Sequence, residues 1–157
     1  MRLRTDQINY ILAVGFIASL LLHIFIYLGL YLPHNWVVII MTSGIILSWL
    51  YSSRIMRQHK SEYPEGNPWV DVLNLIPVWL KYFTYMIIVY SFINFISSMS
   101  FSSGGGYINT DVSAVKIRGL SGFWLAFYAI GFSLGIGSVI HNKNKIENIG
   151  SGEKTEL

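Results

Sequence analysis

Apolar residues gather along the chain into four long blocks, 8–32, 36–56, 78–98 and 120–140, with polar stretches between them. At a helical rise of about 1.5 Å per residue, blocks of this length cross a hydrocarbon core of about 30 Å. A backbone in lipid must satisfy its own hydrogen bonds, so the blocks predict helices rather than open strands. The expected fold is all-α and membrane-integral, with four transmembrane helices in an up-down bundle. Pro33, His34 and Asn35 leave room only for a tight return between the first two blocks. The same pattern predicts one membrane domain over 1–145 and a disordered cytoplasmic tail over 146–157.

Between the second and third blocks the pattern changes. Residues 63–68, Tyr63-Pro64-Glu65-Gly66-Asn67-Pro68, are turn material. Asn67 is a good N-cap and Pro68 a good first helical residue. After them Trp69, Val70, Val72, Leu73, Leu75 and Ile76 leave only Asp71 and Asn74 as a polar edge. Two readings stay open for 68–77: an interfacial helix on the cytoplasmic surface, or a pre-helix leading into the third span through Pro77.

The loop before the fourth block opens with serines and with Gly104, Gly105 and Gly106, a flexible composition. Tyr107, Ile108, Thr110, Val112 and Val115 then favour strand, followed by Lys116 and Arg118. Tyr107, Asn109 and Arg118 are its candidate interaction residues, and a plain connector is the competing reading.

Composition agrees with the blocks. Only 12% of the 157 residues are charged and 53% are hydrophobic, against about 25% charged in a soluble domain. The lipid bilayer is therefore the first expected partner, and nucleic acid is not one. The basic residues are distributed unevenly. Arg2, Arg4, Arg54, Arg57, Lys60, Lys81, Lys143, Lys145 and Lys154 fall on one side of the predicted membrane, and only Lys116 and Arg118 on the other. Positive flanks stay in the cytoplasm, so both termini are expected there. Arg2 and Arg4 ahead of an apolar run also suit a cleaved signal peptide, but the run is too long and lacks a small-x-small site.

The chemistry that the sequence carries is sparse. There is no cysteine, which excludes disulfides and thiolate metal sites. Every Asp and Glu lies outside the four blocks, against the membrane carboxylate on which a small multidrug exchanger depends. Lys81 is near enough to a block end to snorkel. His23 alone is an ionisable residue deep in a block. It lies about 22 Å past Ile8, and Asn94 lies about 24 Å past Val78, so the two are expected at one level and hydrogen-bonded across helices. Thr42 and Tyr128 fall near the same layer. That layer either fixes helix register or serves as a ligand or proton site. His34, His59 and His141 are not level with His23, so a bis-imidazole haem is not expected. H-E-x-x-H and G-x-S-x-G are absent. No cofactor, metal or enzymatic activity is expected.

The fourth block has the clearest spacing. Gly122, Ala126, Ala129, Ser133 and Gly137 share one helical face, and Gly131 with Gly135 forms a second small stripe. Small faces let helices approach closely, either within the chain or in a homo-oligomer.

Ile117-Arg118-Gly119-Leu120-Ser121-Gly122-Phe123-Trp124, with Ala126-Phe127-Tyr128 after it, resembles a scattered group of small bacterial inner-membrane proteins of no assigned activity. Those proteins carry an R-G-F-S-G-H-W-like stretch before the last membrane helix and a Tyr-x-x-Asn-like segment in the preceding loop, here Tyr107-Ile108-Asn109. Phe123 stands where the resemblance leads one to expect His. The resemblance implies a bacterial inner membrane and four helices, and no reaction. The leading functional expectation is a non-catalytic accessory or interaction protein with a membrane partner. The competing ones are a small transporter or channel subunit using the His23 and Asn94 layer, and a bacteriocin-type immunity protein.

Overall fold

The computed structural model describes residues 5–30, 33–103 and 112–152, and all the regular structure among them is helical. In chain order the helices are α1 (Thr5–Tyr27), α2 (Asn35–Glu62), α3 (Pro68–Leu75), α4 (Val78–Ser103) and α5 (Val112–Gly152). Four of them, α1, α2, α4 and α5, are long and apolar enough to cross a membrane, one for each block.

Helix ends and block ends do not coincide. α1 stops at Tyr27, inside its block, because Gly29 takes φ +71° and the Leu30 and Gly29 N–H groups turn back to Phe25 O and Ile26 O. This is a glycine-terminated cap that satisfies the last carbonyls. α2 continues past 56 until Tyr63, where Pro64 follows. α5 corrects two expectations. It begins at Val112, so Val112 and Val115 are helical rather than strand-like, and Lys116 and Arg118 belong to the helix rather than to a loop. It also runs through Gly152, so 146–152 is helical where a disordered tail was expected. Hydropathy marks only the stretch suited to lipid, whereas a helix continues until something breaks it, and no proline follows Pro77. Tyr107 and Asn109 lie outside the described residues.

Asn67 caps α3 as expected, its side chain accepting from Trp69 N–H at 3.2 Å. α3 is a separate helix, broken from α4 at Ile76 and Pro77, and it does not simply lie on a surface. Val72, Leu73 and Ile76 are buried. A Cβ on Gly137 would lie 2.6 Å from Val72 O, so only glycine lets α5 come this close to the α3 backbone. Lys81 Nζ donates to Asn74 Oδ1 at 3.1 Å, joining α4 to α3 at the surface.

α5 is the central helix. Of its membrane-length window 56% is buried, against 22% for each of α1, α2 and α4. Those three turn residues such as Ile17, Leu21, Ile39, Ile46, Met86 and Val89 outward. Both small stripes of α5 pack within the chain. Gly122 faces Asn94 and Ser91 on α4, Ala126 and Ala129 cluster with Ile87, and Ser133 bonds Thr84 at 2.7 Å. Gly131 meets Ser48 and Leu12, and Gly135 meets Asn9 and Tyr51. The Tyr128 ring occupies the space that side chains on Gly15 and Gly44 would need, so two glycines on facing helices make its slot.

Candidate functional site

The buried face of α1 is Leu12, Ser19, His23 and Ile26, spaced so that all four project from one side of a helix. That face meets α5 and places His23, only 5% exposed, in a polar layer. Ser121 Oγ donates to Arg118 O at 2.8 Å, one turn back on α5. Its single proton is thereby committed, so in the contact with His23 Nδ1 at 2.7 Å the ring nitrogen donates and the serine oxygen accepts. His23 Nε2 must then accept, and Tyr90 on α4 supplies the hydroxyl at 2.6 Å. The tautomer follows from the network rather than from visible hydrogens.

Asn94 reaches the same layer by another route. Its Nδ2 donates at 2.9 Å to Arg118 O, the carbonyl that also accepts from Ser121. His23 and Asn94 therefore stand at one level, as the depth count predicts, but the expected direct bond is replaced by a shared chain through Ser121 and Arg118 O. The azimuth of each helix decides this, and Gly122 brings Asn94 against α5 rather than α1. Thr42 and Tyr128 lie in the adjacent layers. Trp124 Nε1 donates to Thr42 Oγ1 at 3.3 Å, and the Tyr128 hydroxyl points to Met41 O at 3.5 Å. Arg118 stacks its guanidinium over Tyr27, 5.7 Å from the ring centre.

A second polar cluster lies at the other end of the helices, and sequence reasoning missed it. His59 from the last turn of α2, Asp71 from α3 and His141 from α5 converge there. His59 Nε2 is 3.5 Å from Asp71 Oδ2, and the two imidazoles are 5.4 Å apart at their centres. His141 Nε2 lies 3.0 Å from Glu62 Oε2, and Lys145 Nζ donates to Glu62 Oε1 at 3.1 Å. Tyr63 stacks on both histidines. A signal was present: His59 and His141 each follow shortly after an apolar block that exits on the same predicted side. Each had been compared only with His23.

This end is open. A cavity of about 670 Å³ is lined by His59, Glu62, Glu65, Asp71 and His141 among others, and a smaller one of about 290 Å³ shares His59, Glu62 and His141. α2 is about 42 Å long at 1.5 Å per residue, longer than a hydrocarbon core, so its last turn projects beyond the lipid-suited stretch 36–56. There the hydrogen bond from His141, and after it the one from Lys145, hold the Glu62 carboxyl below its usual range. Among the described residues no group of three or more His, Asp or Glu side chains is arranged to hold a metal ion. The arrangement places two imidazoles and three carboxylates around one open cavity.

No family model matches this chain, and neither a curated protein nor a solved structure matches it.

Proposed function

We propose that the protein is a non-catalytic accessory protein of a bacterial inner membrane, and that its working surface is the end carrying α3. In this reading α1 and α4 run against α2 and α5 across the bilayer, and the α3 end faces the cytoplasm, where the excess of Lys and Arg belongs. The observation that carries the proposal is the contrast in saturation. Both ring nitrogens of His23 are bonded within the protein, whereas Glu65 and Asp71 border an open cavity. A transporter needs its membrane histidine accessible, and the paired, buried ring favours a role in helix register instead. The acidic lining of the open cavity suits a basic segment of a partner.

A photoreactive side chain at Glu65, used in intact membranes, tests this. The expected result is capture of one heterologous protein, lost when Asp71→Lys reverses the lining charge. Capture of lipid or of the protein itself alone, or capture indifferent to the reversal, overturns the proposal.

A further inference from the structure

A groove of about 610 Å³ runs between α2, α3 and α5. Its walls are mostly apolar: Trp49 and Met56 of α2, Trp69 of α3, and Phe127 and Ile130 of α5. Three polar residues, Ser52, Ser53 and Arg57, interrupt them. Ser52 is only 8% exposed, and its Oγ has no hydrogen-bond partner among the described residues. The Oγ has almost no accessible surface of its own, so it lies beneath the groove wall and is not open to an occupant. Arg57 lies at the rim, with Nε donating to Ser53 O at 3.3 Å. Its terminal amino groups face no carboxylate among the described residues.

The order of these groups along α2 gives the occupant's shape. Trp49 comes first, Ser52 lies one turn on, and Arg57 is about 12 Å beyond Trp49 at 1.5 Å per residue. The lining thus passes from ring and aliphatic surface through two serines to one cation. Arg57 immediately follows the apolar block, at headgroup depth, and tryptophans favour the same boundary. A volume of this size is in the range that takes a small ligand, about 300–1,000 Å³.

We propose that this groove is a binding site for one anionic phospholipid. The Arg57 guanidinium holds the phosphate, and the upper acyl chain lies on Trp49, Phe127 and Ile130. Arginine is suited to this by its planar fork of donors. The groove shares no lining residue with the acidic cavity.

Native mass spectrometry of the full-length protein tests it, with phosphatidylglycerol or phosphatidylcholine titrated into neutral detergent. One phosphatidylglycerol is expected to be retained in preference to phosphatidylcholine. Arg57→Gln is expected to weaken retention about tenfold, the loss of one charge-assisted contact. Arg54→Gln removes the same charge one turn earlier, beside the other cavity, and is expected to leave retention unchanged. Ser52→Leu fills the groove while keeping Arg57 and is expected to abolish retention. Equal retention of the two lipids, equal weakening by the two arginine variants, or unchanged binding in Ser52→Leu each overturns the proposal. Displacement of the lipid by millimolar inorganic phosphate overturns it as well, because the site would then recognise a free anion and not an amphiphile.

Discussion

Two histidine layers sit at opposite ends of α5, the helix they share, and differ in what satisfies them. At one end His23 gives a proton to Ser121 and takes one from Tyr90, while Asn94 and Ser121 share Arg118 O. At the other end His59 and His141 face carboxylates beside a cavity open to solvent. The first arrangement is a closed chain of donors and acceptors across three helices, and within a membrane such closure is what a polar group requires. The second keeps acceptor oxygens at an accessible surface, where water satisfies them when nothing else does. Residue type alone therefore does not mark a functional histidine here; the partners do.

The largest effect is expected from opening the closed layer. His23→Leu leaves the buried Ser121 Oγ without its donor and the hydroxyl of the partly exposed Tyr90 without its acceptor, at a cost of about 2 kcal/mol. Thermal unfolding in detergent, followed by size-exclusion fluorescence, measures it. The double variant His23→Leu with Tyr90→Phe removes one stranded group and is expected to recover part of the loss. A double variant no better than the sum of its parts would mean that the two side chains are not coupled.

Depth along each helix was legible in the sequence, and rotation about its axis was not. Counting residues from the block edges placed His23 and Asn94 at one level because helical rise is nearly constant. Which neighbour each then meets depends on packing. Ser121, the residue that joins them, is an ordinary serine next to the small face of α5, and nothing in its own spacing marks it. The stripes of Gly122, Ala126, Ala129, Ser133 and Gly137 and of Gly131 and Gly135 were readable as close-packing faces, and they proved to serve α4, α3, α1 and α2 within one chain. Asn67 and Pro68 announced α3 through local capping chemistry, which needs no tertiary information. Its burial against Gly137 is a tertiary fact and was open in the sequence.

A smaller loss is expected from Asn94→Ala. Arg118 O keeps the Ser121 proton, so one bond is removed without stranding the acceptor, at about 1 kcal/mol. The ratio of this loss to that of His23→Leu sharpens the picture of His23 as the centre of the layer. A larger effect for Asn94→Ala would move the centre to α4. At the open end, Asp71→Asn is expected to leave the unfolding midpoint almost unchanged, because the Asp71 side chain is 38% exposed and Asn keeps an oxygen toward His59. Its effect belongs instead to partner capture at Glu65, and a clear stability loss would show that this end is also structural.

The smallest effect concerns pH at the open end. The folded protein holds the Glu62 carboxyl below its usual range, through the His141 bond first and the Lys145 bond second. A group whose folded value is depressed contributes stability above its unfolded value and loses that contribution as pH falls through the folded one. Wild type is therefore expected to unfold slightly later than Glu62→Gln at neutral pH, and the gap is expected to close below about pH 4. The carboxyl is fully exposed, so solvent screens the interaction and the gap stays small. Unfolding midpoints of the two proteins across the acid range read it directly. A gap that persists in acid would mean that Glu62 acts there through shape or neutral hydrogen bonding, and the contrast between an electrostatic end and a sealed polar layer would lose one of its terms.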